Sequence, residues 1–190
     1  MNKILLFLPI FFLPSFGFKV QPLKEKPKVE IKKQVKKNKS ETDVEKYIDR
    51  FKKVAMTEHQ KFGIPASVTL AQGILESGAG KSLLTKKTNN HFGIKCFGKC
   101  NNKNSVNMAD DNPWERFKKY KSNWYSFRDH SKFLMGDRYK KCRECGDDYK
   151  CWAKYLKRCG YATSKTYDKK LIKIIKKYKL YEYDKKNPQV

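Results

Sequence analysis

Acidic side chains are scarce in this chain: 19 Asp and Glu stand against 44 Lys and Arg, for a formal net charge of +25. Histidine is scarcer still, with three in 190 residues. His59 and His130 have no partner ligands at coordinating spacing, so a histidine-based metal centre is not expected. Long apolar runs are also missing. The longest, Ile4 to Phe12, is interrupted by Pro9 and is well short of the about 20 residues that span a bilayer. No internal repeat is visible, which excludes a solenoid or propeller. Helix-turn-helix, zinc-finger and aromatic RNP signatures are absent too, so the positive charge does not point to nucleic acid.

What is present divides the chain into four stretches. Lys3, the apolar run and Ser15-Phe16-Gly17 have the layout of a secretory signal peptide over residues 1–17. A retained anchor is the alternative reading, and no cysteine follows the run to carry a lipid. Residues 18–42 are rich in Lys, Pro, Glu and Gln, with apolar residues too sparse for a core, and read as a basic disordered linker. Residues 43–184 form one domain-sized stretch, followed by a tail at 185–190. An exported protein of this charge is expected in the periplasm, the cell envelope or outside the cell. There its partners would be anionic envelope polymers. Nothing in the sequence calls for an oligomer.

The periodicities predict a mainly helical α+β fold. Val44, Tyr47, Ile48, Phe51 and Ala55 recur at helical spacing, with Thr42 or Asp43 as cap. Gly63 and Pro65 separate this helix from a second one, in which Val68, Ala71 and Leu75 lead to Glu76. Gly78 and Gly80 then provide a permissive turn. Ser105–Met108 and Arg116–Tyr120 alternate weakly, as in a small hairpin. Ser122 is placed to cap a helix with Trp124, Phe127, Ser131 and Leu134 on one face. Two more helices are expected, over Tyr149–Lys157 and around Leu171, Ile174, Ile175 and Tyr178.

Glu76 is the residue with the clearest chemical potential. A carboxylate at a helix C-terminus faces the negative end of the macrodipole, and partial burial against Ile74 and Leu75 acts in the same direction. Both favour the protonated form that a general acid needs. Further carboxylates cluster at Asp110, Asp111 and Glu115. Six cysteines in an exported chain argue for disulfides, and Cys96–Cys100 across the hairpin base is the favoured bridge. The competing arrangement is a zinc site from Cys96, Cys100, Cys142 and Cys145.

Leu75-Glu76-Ser77-Gly78 with Gly80-Lys81-Ser82, followed by Asn89-Asn90-His91-Phe92-Gly93-Ile94-Lys95, resembles the glucosaminidase family of bacterial cell-wall hydrolases, glycoside hydrolase family 73. Arg116-Phe117-Lys118-Lys119-Tyr120, Ser126-Phe127-Arg128-Asp129-His130-Ser131 and Gly160-Tyr161-Ala162-Thr163 with Tyr167 and Leu171 continue the resemblance in order. It implies a lysozyme-like fold with a small β lobe and cleavage of N-acetylglucosaminyl β-1,4 linkages in peptidoglycan glycan strands, without metal or organic cofactor. Glu76 would be the acid, Glu115 the base with Asp110 as its rival, and Tyr161 a cleft residue at the acetamido group. Asn90, His91, Phe92, Tyr120 and Tyr167 would line the substrate cleft. A silent wall-binding module, a muramidase and an amidase are the alternatives.

Overall fold

The structure, a computed structural model, describes residues 41–108 and 115–185. The expected signal peptide, most of the linker, Asp110 and Asp111 lie outside the described residues. No described helix is long and apolar enough to cross a membrane.

Helix α1 (Asp43–Phe62) begins with a reciprocal capping box: Thr42 Oγ1 accepts from the Glu45 amide, and the Glu45 carboxylate accepts from the Thr42 amide at 2.7 Å. It ends at Gly63 in the left-handed region. Helix α2 (Ala66–Ser77) is buried without interruption from Ala66 to Ile74. A helix buried on every side can exist only inside the molecule, and α1, the helices α6 (Tyr149–Arg158) and α7 (Tyr167–Lys177) and the closing 3-10 turn Leu180–Asp184 pack around it. Gly73 is required here by close approach, because a Cβ at this position would overlap the Tyr47 hydroxyl.

A short helix α3 (Leu83–Thr88), which the sequence did not reveal, follows the Gly78–Gly80 turn and is capped by Ser82. The hairpin β1 (Ser105–Met108) and β2 (Glu115–Lys118) is antiparallel, pairing Ser105 with Lys118 and Met108 with Glu115. It starts one residue before the predicted second strand. Helix α4 (Asn123–Leu134) buries Ser126, Phe127, His130, Ser131 and Leu134. Two details differ from expectation. Ser122 occupies the cap position without a side-chain hydrogen bond, and Trp124 is exposed. Its ring lies 4.7 Å from the Arg128 guanidinium, which also forms a two-pronged ion pair with fully buried Glu58 of α1. A charge buried as deeply as Glu58 persists only when paired in this manner. Helices α5 (Lys140–Arg143), α6 (Tyr149–Arg158) and α7 (Tyr167–Lys177) complete the helical lobe, with Trp152, Leu156, Leu171 and Ile175 in the core.

Cys96 and Cys100 are bridged as expected, and a second disulfide joins Cys145 to Cys151. Three of the four sulfurs of the proposed zinc site are therefore committed to disulfides. Cys142 and Cys159 remain thiols, and burial followed by the neighbouring Cys159 pushes the Cys142 thiol up to about 12.

His130 is completely buried, stacked on Phe92 at 3.8 Å, and neither ring nitrogen has a hydrogen-bond partner among the described residues. Desolvation lowers its pKa to about 3, against a smaller opposing effect of Asp129. The unfolded chain therefore takes up a proton near pH 6.5 that the folded chain refuses until about pH 3. Stability should fall with decreasing pH across that window by about 1.4 kcal/mol per unit from this residue. Denaturant titrations of the parent and His130→Leu between pH 4 and 7 should show the shallower acid slope in the variant. Gly73→Ala, a change that ordinarily favours a helix, should instead destabilise by about 1–3 kcal/mol through overpacking, measured by the same titration.

Candidate active site

The last turn of α2 brings Gln72 and Glu76 onto one face, four residues apart. The N-terminus of α7 supplies Tyr167, whose hydroxyl donates to Glu76 Oε1 at 2.7 Å and accepts from Gln72 Nε2 at 3.1 Å. Glu76 is half-buried, and Tyr167 is only 2% exposed. Tyr167 therefore holds the carboxylate by one oxygen from a buried position. Tyr161, on the loop before α7, stacks on Tyr167 at 5.7 Å and 22°. Burial, then the Glu76 carboxylate, Tyr139 and Tyr120, all push its phenol well above the ordinary tyrosine range. Burial raises Tyr167 as well, with Tyr161 and Glu76 acting in the same direction. Both phenols thus keep their protons at neutral pH and serve as donors.

The chain reverses immediately after Glu76 because Gly78, Ala79 and Gly80 all adopt positive φ. Two of the three are glycines, for which this region carries no steric penalty. Ser77 Oγ accepts from the Gly80 amide at 2.7 Å and closes the turn.

Across the hairpin, Glu115 opens β2, with a side chain 16% exposed. Lys95 Nζ donates to its Oε1 at 2.6 Å. Oε2 is buried with no hydrogen-bond partner among the described residues. A buried carboxylate oxygen without a partner is unusual and fits a site that takes a water or substrate proton.

Tyr120, just past β2, donates to Asp129 Oδ2 at 2.7 Å, and Lys118 binds the same oxygen at 2.8 Å. Desolvation and this carboxylate raise the Tyr120 phenol. Tyr120 lines a cavity of 470 Å³ between the β lobe and α4.

Asn90, His91 and Phe92 are buried, at 1%, 2% and 4% exposure, and His91 lines a pocket with Gly80, Asn89 and Asn123. The Asn90 amide nitrogen donates to the carbonyls of Ile94 and Lys118, and its oxygen accepts from the amides of Phe92 and Ile94. It is a strut between α3 and the hairpin. The His91 nitrogens are held by the Tyr47 hydroxyl at 3.0 Å and Asn123 Oδ1 at 2.9 Å, and burial lowers its pKa. Phe92 packs between Phe127 and His130. A run that borders a cleft must still satisfy its own backbone and fill the space behind it. Gln72, Lys95 and Asp129 were not singled out from the sequence, although the four-residue spacing of Gln72 from Glu76 was a usable signal.

A carboxylate at the end of a buried helix, held by a tyrosine, in a helical fold with a small two-stranded lobe, is the layout of a lysozyme-like hydrolase. Residues 52–180 match the glucosaminidase family, described as mannosyl-glycoprotein endo-β-N-acetylglucosaminidase. The "Exo-glucosaminidase LytG" of Bacillus subtilis is 34% identical over 208 aligned positions, which take in all of this chain and 71% of that protein. The "Peptidoglycan hydrolase FlgJ" of Pseudomonas aeruginosa is 27% identical over 68% of this chain, which spans about a third (35%) of its length. Among solved structures, the catalytic domain of the autolysin Auto of Listeria monocytogenes superposes with a TM-score of 0.63 at 34% identity, covering 75% of this chain and 88% of that one. A peptidoglycan hydrolase of Sphingomonas sp. A1 gives 0.61 at 27% identity, covering 76% and 97%. The chain belongs to the glucosaminidase family and is a glycoside hydrolase.

Tyr167→Phe removes one hydrogen bond to Glu76 and leaves Gln72 without its acceptor. Loss of a hydrogen bond to a charged group is worth about 1.5 kcal/mol, so kcat should fall about tenfold while KM moves much less. Steady-state kinetics on solubilised wall fragments would check this split.

Proposed function

We propose that the enzyme cleaves the β-1,4 bond at N-acetylglucosamine in peptidoglycan glycan strands, with Glu76 as general acid. The observation that carries the reading is the Gln72–Tyr167–Glu76 hydrogen-bonded chain, which aims one carboxylate oxygen from the end of a buried helix. Glu76 gives its proton to the leaving glycosidic oxygen as the bond to the anomeric carbon breaks. A water attacks that carbon and passes a proton to Glu115, whose Oε2 is the available acceptor. Lys95 orients Glu115 through its other oxygen. Asp110 is the rival base and lies outside the described residues. Tyr161, protonated and beside Glu76, donates to the substrate's acetamido carbonyl. Tyr120 lines the adjoining groove wall. The enzyme acts outside the membrane as a monomer, with residues 1–17 directing export and the charge of +25 holding it to anionic envelope polymers.

The purified chain and Glu76→Gln are to be incubated with peptidoglycan, and the products reduced with borohydride and identified by mass spectrometry. Reduced N-acetylglucosamine ends are expected from the parent, with the rate falling about 10²–10⁴-fold in the variant. Reduced muramic acid ends would make the enzyme a muramidase. Free stem peptides would make it an amidase. No products, with wall binding intact, would leave a binding module.

A further inference from the structure

The 470 Å³ cavity beside Tyr120 combines two features that the hydrolysis of a sugar–sugar bond does not by itself explain. The first is aromatic exposure. Phe97 is 81% exposed and Tyr125 is 50% exposed, on opposite walls of the cavity. Phe97 stands on the loop that the Cys96–Cys100 disulfide closes. Exposed aromatic side chains gathered around one cavity mark a contact surface. The second feature is charge. Five cations line the cavity, against one carboxylate, Asp129. Arg128 is committed to Glu58, and Lys118 to Asp129. Lys99, Lys119 and Lys132 line the cavity without a carboxylate partner among the described residues.

The cavity adjoins the hairpin that carries Glu115: Cys96 of its lining follows Lys95, which binds Glu115, and Lys118 and Tyr120 of its lining continue the chain of β2 from Glu115. A ligand in the cavity is then a group attached to the strand held against that hairpin. Resting on the proposed glycan substrate, we infer that the cavity is a subsite for the peptide stem of a muramic acid residue. The stem's carboxylates would be met by Lys99 and Lys132, and its lactyl ether and first residues covered by Phe97 and Tyr125. Peptide stems are the anionic groups that the substrate itself carries on its sugar backbone. Wall-bound phosphodiester polymers present a different anion and arrive on a separate chain. The enzyme should then prefer stem-bearing strands to strands from which the stems have been removed.

The test uses solubilised, polymer-free glycan strands, either stem-bearing or stripped of stems with an amidase, and compares the parent with Lys99→Ala/Lys132→Ala and with Phe97→Ala. All three substitutions fall on exposed side chains, so the fold should tolerate them. Exposed charge pairs are worth up to about 1 kcal/mol each, or about fivefold. The parent should show a KM several-fold lower on stem-bearing strands, and the difference should shrink as salt is raised. In the double lysine variant the ratio of KM between stripped and stem-bearing strands should collapse towards one, with kcat on stem-bearing strands retained. Equal KM values on the two substrates in the parent, or a ratio unaltered by the lysine substitutions, would overturn the assignment. So would a lysine effect confined to walls that retain phosphodiester polymer. Cleavage of neither substrate by the parent is a separate outcome, and it would count against the hydrolase reading itself.

Discussion

The burial of α2 is the constraint on which the rest of the molecule depends. From Ala66 to Ile74 this helix has no solvent-facing side, so every neighbouring element must supply an apolar surface to it. Close packing is what makes that possible, as Gly73 against the Tyr47 hydroxyl illustrates. A helix fixed on all sides has a fixed end, and Glu76 is placed at that end. The carboxylate thereby gains a rigid mount while standing one turn from a chain reversal that opens it to solvent. Gln72 and Tyr167 refine the aim from the same helix and from α7.

The hairpin lobe is attached to this frame through polar contacts. Asn90 spends its amide on four backbone groups between α3 and β2, and Tyr120 and Lys118 converge on Asp129 of α4. The aromatic layer of Phe51, His91, Phe92, Phe127 and His130 fills the space beneath. Two of these aromatic positions are histidines, kept neutral by desolvation. Such a layer keeps its dispersion contacts at neutral pH and becomes a liability in acid, when the imidazoles would have to charge inside an apolar space.

Much of the fold was legible because it is written in local patterns. The helical periodicities of α1, α2, α6 and α7, the glycine turn after Glu76 and the weak alternation of the hairpin all depend on residues close in sequence. The Cys96–Cys100 bridge was legible for the same reason, being four residues apart. Cys145–Cys151 was among the fifteen possible pairings and was not singled out. Misjudged residues were those whose environment comes from distant segments. Trp124 reads as core by helical spacing, yet it stays outside because Arg128 lies over its ring while answering Glu58 from 70 residues away. Tyr167 reads as a cleft residue, yet its hydroxyl is taken by groups more than 90 positions earlier. The run from Asn90 to Phe92 reads as a cleft wall, yet it braces the wall from within.

The sequence by itself determined the class of the protein and the helical architecture, and it offered Glu76 as the proposed acid. These depend on short-range stereochemistry and on an ordered set of motifs. Tertiary structure decided which side chains serve the acid and which serve the scaffold. It selected Tyr167 and Gln72 as the support for Glu76, left one oxygen of Glu115 without a protein partner among the described residues, and gathered around Phe97 lysines that have no carboxylate partner among them. The physical reason is that hydrogen bonding and desolvation act through space over a few ångströms. Whether a polar side chain is available for a substrate depends on what the rest of the chain has already placed beside it.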